Sequence, residues 1–527
     1  MNILISDKLA DEGVRILTAV KNFRVDCKYG LTPDQLRAAI PDYHALIVRS
    51  ETKVTEDIIN AADSLKVIGR AGVGLDNVDL KAATKKGIVA MNTPSGNTTA
   101  TAEHTMSLIL ALSRNIPQAH ASLKQGIWDR SKFKGVELHG KTLGVIGFGR
   151  IGSTVAKFAK AFGMEVLAYD PFLSMELALQ KGVAMVDLRE LVQRSDYITV
   201  HIPLNEETKD LISDREFALM KRTARLINCA RGGIVNEPAL VRALEKNGIA
   251  GCALDVYDHE PLPQDSPLLK FDHCIVTPHL GAATSEAQIN VAIEIAESVR
   301  NALLGKGIAN AVNFPSVDAE AYEFLSPYIN LGLRLGKFAG QLVHGRIKDA
   351  KVVYSGAITK YQVAPVTLSL VNGLLTPVLG DRVNFVNALD LAKERAINVQ
   401  EIVSNNDEEF VNCLKLQITT DKEIFHLWGA LSGNKKPRIV KINEVYVEAN
   451  PDEYMLFINN TDKPGLIGAI GTILAEANIN IAGISLSREA PDGVAVSVVN
   501  VDSKVPEDVV EKLTMTKGVL FVKLLKV

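Results

Sequence analysis

The chain has 527 residues, 47% of them hydrophobic and 23% charged, with a formal net charge of −3. A chain of this length exceeds what one hydrophobic core supports, so three or four domains are expected. The ordinary composition excludes a disordered or fibrous class, and the near-neutral balance gives no global reason for a nucleic-acid or anionic-membrane partner. Five scattered cysteines, Cys27, Cys229, Cys252, Cys274 and Cys413, form no C-x-x-C pair, so neither a disulfide framework nor a zinc site is indicated, which fits a reducing cytoplasm.

The N-terminal apolar run around Ile3–Ile5 is too short for a secretory core and is followed at once by charge. In the first hundred or so residues, short β-rich runs (Ala45–Val48, Lys66–Gly69, Gly87–Met91) alternate with helical stretches, the rhythm of a small parallel α/β domain. A long helix is predicted over Thr99–Leu112. From Lys141 the alternation resumes with six stronger strands: Leu143–Ile146, Glu165–Ala168, Tyr197–Val200, Ala224–Asn228, Gly251–Leu254 and Cys274–Val276. These make a doubly wound sheet. A second long helix, Ser285–Leu304, closes this half, so the chain is expected to cross twice between two lobes with a cleft between them.

Gly147-Phe-Gly149-Arg-Ile-Gly152 follows the first of those strands and opens a helix, and Asp170 ends the next strand, eighteen residues beyond Gly152. Gly147 allows a tight turn, Gly149 lets backbone N–H groups approach a pyrophosphate at the helix N-terminus, and Gly152 lets the helix pack close on the strand. A carboxylate at Asp170 accepts hydrogen bonds from the adenosine ribose and repels a 2′-phosphate, which selects NAD over NADP.

Removing hydride from a hydroxyl-bearing carbon needs a base for the hydroxyl proton and a cation for the carboxylate and the developing carbonyl. Three strand ends offer such groups: Arg231 after Asn228, Glu260 after Asp255, and His279 after Val276. In a doubly wound sheet the carboxyl ends of the strands meet at one crevice. Taken singly, Arg231 reads equally as a surface charge and Glu260 as the start of a proline turn. His201 and His259 flank these loops, and His104 on the crossing helix reads as a packing residue.

After Asn313-Phe-Pro315, segments bearing Pro, Asn and Gly lead into a less regular α/β stretch running to about Asn450. Within it Val363–Gly380 carries no charge, but Pro365, Asn372, Gly373 and Pro377 would break a membrane helix, and the segment is read as strand, turn and helix start. The tail reads strand (Glu453–Ile458), helix (Leu466–Ala477), two strands (Ile481–Arg488, Gly493–Val501), helix (Pro506–Met515) and strand (Val519–Leu525), a βαββαβ module of ferredoxin-like type.

Arg231, Glu260 and His279 at this spacing, together with the glycine fingerprint, resemble the D-isomer-specific 2-hydroxyacid dehydrogenases over roughly residues 1–313. The resemblance implies that His279 is the acid/base, that Glu260 pairs with its other ring nitrogen, and that Arg231 orients the substrate carboxylate and polarises the C2 oxygen. A carboxylate beside an imidazole favours the protonated ring, which agrees with proton uptake during oxidation. The resemblance also implies NAD contacts from Arg150 and Ile151, from Cys229, Ala230 and Arg231, and from His279, Gly281 and Ala282, with Asp255 at the nicotinamide end.

The loops Val48–Val54, Gly69–Asn77 and Asn92–Asn97 resemble those of family members that oxidise 3-phospho-D-glycerate to 3-phosphooxypyruvate, the first step of phosphorylated L-serine biosynthesis. That likeness implies that Val73 and Gly74 give backbone N–H groups to the substrate carboxylate, and that Arg49 and Arg70 bind its phosphate through their planar forks. Ordinary salt bridges are the plainer account of both arginines. Arg130, Lys132 and Lys134 either reach a neighbouring subunit or form a solvated face.

The tail resembles an ACT domain, and residues 314–450 resemble the intervening regulatory domain of long-form members. Asp462 and Asn480 match places where serine-binding ACT domains hold their effector; Asn460 departs from an aromatic residue found there in some relatives, so L-serine as effector stays open. The expected whole is an α/β protein. It has a flavodoxin-like substrate lobe (1–98 with 284–313), a Rossmann NAD-binding domain (99–283), a regulatory α/β domain (314–450) and a ferredoxin-like ACT domain (453–527). A cytoplasmic homotetramer without nucleic-acid or membrane partners is expected. The alternatives are another D-2-hydroxyacid dehydrogenase, such as a glyoxylate or hydroxypyruvate reductase, and a non-catalytic NAD-sensing scaffold.

Overall fold

Two parallel sheets stand on either side of the double crossing in the computed structural model, which describes residues 1–527 apart from 174, 318, 405–411, 434, 489 and 491–492. The first sheet has five strands, Asn2–Ile5, Arg24–Cys27, Ala45–Val48, Val67–Arg70 and Val89–Met91, in the spatial order 2-1-3-4-5, the flavodoxin-like order. Ile3, Ile5 and Ile47 enter one core and Leu4, Leu46 and Val48 the other, as expected where helices cover both faces of a parallel sheet.

The second sheet is parallel too, in the order 3-2-1-4-5-6-7, a Rossmann order with one strand added. Seven strands replace the six expected: Thr142–Ile146, Glu165–Tyr169, Ala184–Met185, Tyr197–Val200, Arg225–Asn228, Gly251–Leu254 and Cys274–Val276. The extra one, Ala184–Met185, is two residues long, too short to leave a pattern. The helix Thr98–Arg114 sends Ala102, Met106, Ile109 and Leu112 into the core of this sheet. The helix Ser285–Leu303 returns Val291, Ala292, Ile295 and Val299 to the first sheet. There Gly69 leaves room for it, since a Cβ at that position would lie within 2.9 Å of Ile295 and Val299. The chain then runs along the edge strand Val89–Met91: Val312 N donates to Ala90 O at 2.8 Å, and the Asn313 side chain joins Ala90 N, Ile88 O and Thr84 Oγ1.

The stretch beyond is more regular than its sequence suggests. Two helices, Ala319–Leu342 and Ala364–Leu379, lie against a six-stranded mixed sheet spanning Ile347 to Ala449. The charge-free segment is therefore one buried 16-residue helix, not a strand, turn and helix start. Pro365 falls in its first turn, where the missing N–H costs nothing, and Pro377 in its last. The glycine read as a breaker is a packing residue: a Cβ on Gly373 would lie 2.1 Å from Leu333 O, and one on Gly336 of the facing helix 2.0 Å from Leu370 O, so the two helices meet backbone to backbone. No helix among the described residues is long and apolar enough to cross a membrane.

The last four strands, Tyr454–Thr461, Ile481–Arg488, Val494–Val501 and Val519–Lys526, pair antiparallel in the order 2-3-1-4, with the helices Leu466–Glu476 and Glu507–Thr514 on one face. The other face, carrying Met455, Phe457, Val496, Val498 and Leu525, packs on the helix Ala319–Leu342 in one continuous core with the six-stranded sheet. Phe338 meets Phe457 edge-on at 6.1 Å, and Gln341 exchanges two hydrogen bonds with the Lys526 backbone. This unit docks on the first lobe, where Asn384 Nδ2 donates to Gly87 O and Asn387 Nδ2 to Lys85 O.

Candidate active site

The glycine fingerprint lies where the sheet order reverses, between the strands Thr142–Ile146 and Tyr197–Val200. Gly147 has φ +90° and N–H bonded to Tyr169 O; a Cβ there would strike His201 O at 2.6 Å, and one on Gly152 would strike Gly147 O at 2.0 Å. A Cβ on Gly149 would meet nothing within 4 Å, and the helix Arg150–Ala161 that Gly149 caps has no side chain on its first amides. Open space over an uncapped helix N-terminus suits a pyrophosphate. Asp170 is fixed by the amides of Phe148 and Phe172, each at 2.9 Å, and its remaining lone pairs can accept from ribose hydroxyls. The residues fit a dinucleotide.

Below the fingerprint a cavity of about 630 Å³ is lined by Val73, Gly74, Ile151, Cys229, Ala230, Arg231, Asp255, His279, Gly281 and Ala282. A neighbouring cavity of about 460 Å³ is lined by Arg49, Arg70, Val73, Gly74, Arg231, Glu260 and His279. Arg231 and His279 line both, as do Val73, Gly74, Asp76 and Asn97, so these residues stand where the hollows meet.

Each chemical group is held by its own loop. His279 has φ +55°, and its Nδ1 lies 2.7 Å from Glu260 Oε2, while Glu260 Oε1 accepts from Tyr257 N at 3.2 Å. The Arg231 loop is braced by Asn228, whose side chain donates to Arg231 O and accepts from Ala230 N. Asp255 lines the larger cavity, but its carboxylate is spent on the His279 loop. It accepts from Thr277 Oγ1 (2.6 Å), Leu280 N (2.7 Å) and Gly281 N (2.8 Å), and pairs with His104 Nε2 at 3.1 Å. Burial works against that carboxylate's charge, but the hydrogen bonds from His104, Thr277 and Leu280 outweigh it and hold its pKa below the ordinary value. His104 is thus a partner of a site residue as well as a packing residue.

Neither Arg49 nor Arg70 makes an ion pair among the described residues. Arg49 Nη1 donates to Lys8 O at 3.3 Å, and Arg70 Nε is buried without a partner. Burial first, then the charge of Arg231, pulls the Arg70 pKa down to about 10, the state of a guanidinium short of counter-charge. The amides of Val73 and Gly74 donate to no described group, and Val73 O accepts from Asn92 Nδ2 at 2.5 Å. His201 lines the larger cavity and is held neutral by burial, while His259 and the cluster Arg130, Lys132 and Lys134 are exposed.

Sequence reasoning passed over two residues. Asn97 lines both cavities and its side-chain oxygen is buried without a partner; Asp76 pairs with Arg231 at 2.9 Å. Both sit in loops marked as substrate-like, Asp76 two residues after Gly74 and Asn97 next to Gly96, and a polar side chain close to a loop glycine was the available signal. In the tail, Asp462 pairs with Arg488 and Asn480 Nδ2 donates to Asp502 Oδ2 at 2.7 Å, so the two have separate partners. Asn460 is buried and accepts from Ser497 Oγ at 3.0 Å.

Family models match three stretches of the chain: the D-isomer specific 2-hydroxyacid dehydrogenase NAD binding domain at residues 106–281, the D-3-phosphoglycerate dehydrogenase intervening domain at 324–443, and the ACT domain at 454–514. D-3-phosphoglycerate dehydrogenase of Synechocystis sp. is 44% identical over 98% of this chain and 93% of its own. The chain belongs to the D-3-phosphoglycerate dehydrogenase family. Other members of that family are similar over the same length: the Methanocaldococcus jannaschii enzyme is 44% identical over 97% of both chains, and the Bacillus subtilis enzyme 40% over 99% of both. Among solved structures, D-lactate dehydrogenase from Aquifex aeolicus, complexed with NAD and lactic acid, is 31% identical with a TM-score of 0.54, covering 60% of this chain and 100% of its own. Family membership brings an NAD-dependent oxidoreductase with an ACT domain.

Proposed function

We propose that the chain oxidises 3-phospho-D-glycerate with NAD to 3-phosphooxypyruvate, NADH and a proton, the entry step of phosphorylated L-serine synthesis. The observation that carries this is the meeting of the two cavities at Arg231 and His279, one cavity beside a dinucleotide cradle and the other beside Arg49 and Arg70. Gly147, Gly149 and Gly152, with Asp170 at the ribose and Arg150, Ile151, Cys229, Ala230, Gly281 and Ala282, would hold NAD, which would supply the hydride acceptor.

The chain's own residues do the rest. Arg49 and Arg70 take the phosphate, two forks without ion-pair partners among the described residues facing a dianion. Val73 and Gly74 give their amides to the carboxylate. Arg231 draws electron density from the C2 oxygen as it becomes a carbonyl. His279 takes the C2 hydroxyl proton at Nε2, since Glu260 occupies Nδ1. A substrate without phosphate would leave two buried or half-buried cations unanswered, which disfavours a glyoxylate or hydroxypyruvate reductase.

We assign residues 1–98 and 284–313 to the substrate lobe, 99–283 to the NAD domain, 314–450 to the regulatory domain and 453–527 to the ACT domain. A cytoplasmic homotetramer fits the scattered cysteines without a C-x-x-C pair and the exposed apolar residues Ile116, Leu123, Ile127 and Trp128, of which Trp128 is 78% exposed. Asp462 and Asn480 are the candidate effector residues. The test is NADH oxidation, followed by absorbance, with 3-phosphooxypyruvate against hydroxypyruvate, glyoxylate and 2-oxoglutarate, with and without L-serine. Turnover confined to the phosphorylated keto acid is expected; preference for an unphosphorylated one overturns the substrate, and NADH binding without any turnover overturns the enzyme.

A further inference from the structure

Arg231 reaches across the cleft to the other lobe. Asp76 lies beyond the strand Val67–Arg70 of the first sheet, whereas Arg231 follows Arg225–Asn228 of the second, 155 residues on. Arg231 Nε donates to Asp76 Oδ2 at 2.9 Å, and Nη1 donates to Ala230 O at 2.7 Å. Nη2 has no acceptor among the described residues and lies over Gly74, where a Cβ would come within 1.8 Å of it and 2.5 Å of Asp76 Oδ2. Two of the three guanidinium nitrogens are therefore committed, and the third is left beside the Val73–Gly74 amides.

We propose that Asp76 is a positioning residue for the reaction: from the opposite lobe it grips Arg231 by Nε, so that Nη2 is the donor presented to the substrate's carboxylate and C2 oxygen. A guanidinium is planar, so fixing Nε and Nη1 fixes the direction of Nη2 as well. Misaiming a reacting contact by about an ångström can cost a hundredfold in rate. The grip also spans the cleft, so the fork is aimed only while the two lobes stand together. Asp76 is 63% exposed and Arg231 25%; an ion pair so accessible to water adds little to folding stability, which separates a positioning role from a structural one. Asp76 further supplies Arg70 with part of the counter-charge it otherwise lacks.

The proposal rests on the role given to Arg231 above, and two substitutions test it. Asp76→Asn keeps an oxygen to accept from Nε, whereas Asp76→Ala removes it. With NADH and 3-phosphooxypyruvate, kcat of Asp76→Ala is expected to fall about 10- to 100-fold while Asp76→Asn stays within about threefold of the parent. The thermal midpoint and the NADH affinity should move in neither. An Asp76→Ala enzyme with parental kcat and a lowered KM would mean that Asp76 merely competes with substrate, and an asparagine variant as damaged as the alanine one would mean that its charge matters rather than its grip; either overturns the proposal. Hydrogen exchange of the ligand-free proteins reads the tether without turnover. Segments 71–79 and 228–236 should exchange faster in Asp76→Ala than in the parent and Asp76→Asn, and equal exchange in all three refutes the grip. A parent enzyme inert toward every keto acid would instead refute the reaction assigned above, leaving the exchange comparison to decide the tether.

Discussion

His279 and Glu260 lie 19 residues apart in sequence, yet the ring Nδ1 and the carboxylate Oε2 stand 2.7 Å apart. This contact chooses which ring nitrogen is free: with Nδ1 engaged, Nε2 alone is left for a substrate proton. His279→Gln should lower kcat by about 10²- to 10⁴-fold, the usual contribution of a positioned acid/base, with NADH affinity unchanged. Glu260→Gln should cost less, about 10- to 100-fold, because a neutral amide no longer selects the tautomer but the ring itself survives. Steady-state rates paired with NADH fluorescence titrations check both, and full turnover in His279→Gln would refute its role.

Gly149 and Gly152 make a matched pair for testing the cofactor cradle without catalysis. Gly149 has φ −70°, which alanine adopts, and a Cβ there meets no protein atom within 4 Å. Gly149→Ala should therefore fold with its thermal midpoint unchanged and lose NADH affinity about tenfold, roughly 1.4 kcal/mol, because the methyl projects into the dinucleotide's path. At Gly152 the Cβ would lie 2.0 Å from Gly147 O, a backbone atom that cannot step aside. Gly152→Ala should lose about 1–3 kcal/mol of stability to overpacking, beyond any effect on the cofactor. Calorimetry and titration separate the two, and equal losses of affinity and stability in both variants would contradict the cradle.

How far each feature could be read in advance follows from how local its cause is. The parallel strands are apolar runs because helices bury both faces, so Tyr197–Val200 and Gly251–Leu254 are visible in the residues alone; Ala184–Met185 is too short to carry a pattern. Arg231, Glu260 and His279 are legible because each lies in the loop that follows a strand, three to six residues past its end. Asp76 is not, since its meaning lies in a partner 155 residues away on the other lobe. The helix Ala364–Leu379 misleads for a related reason: Gly373 and Pro377 argue locally against a helix, while the close approach to Leu333 O that rewards a glycine is tertiary. The ACT sheet was recognisable by its element order, but nothing in residues 453–527 announces that Met455 and Phe457 share a core with the preceding domain.

Asp255 and His104 form a largely buried polar contact of the site, with side chains 1% and 18% exposed. The carboxylate gathers the loop that carries His279 through three further donors. His104→Ala removes one charge-assisted bond and should cost about 1–3 kcal/mol. Asp255→Ala leaves the buried Gly281 amide and the part-buried Leu280 amide unanswered and should cost more, about 3–5 kcal/mol. In both, exchange at 277–281 should quicken and kcat should fall with NADH affinity altered less than in Gly149→Ala. Parental exchange at that loop in Asp255→Ala would show that the loop is held by something else.

His201 gives a pH dependence with a definite sign. Its Nε2 lies 2.9 Å from Thr199 Oγ1, and burial pulls its pKa from 6.5 down to about 3. Between those values the unfolded chain binds a proton that the folded chain refuses. The stability this site contributes is therefore whole above pH 6.5 and shrinks as pH falls through the window toward 3, by up to about 1.4 kcal/mol per pH unit. His44 and His273 are displaced in the same direction by burial, so the slope of the parent alone cannot be assigned. The difference between parent and His201→Gln can, because the other two histidines remain in both. Urea midpoints at about pH 7.5, 6 and 5 should converge as the medium becomes more acid, the parent losing the larger share. A gap that holds constant across that range would mean that the folded ring accepts protons as readily as the unfolded one.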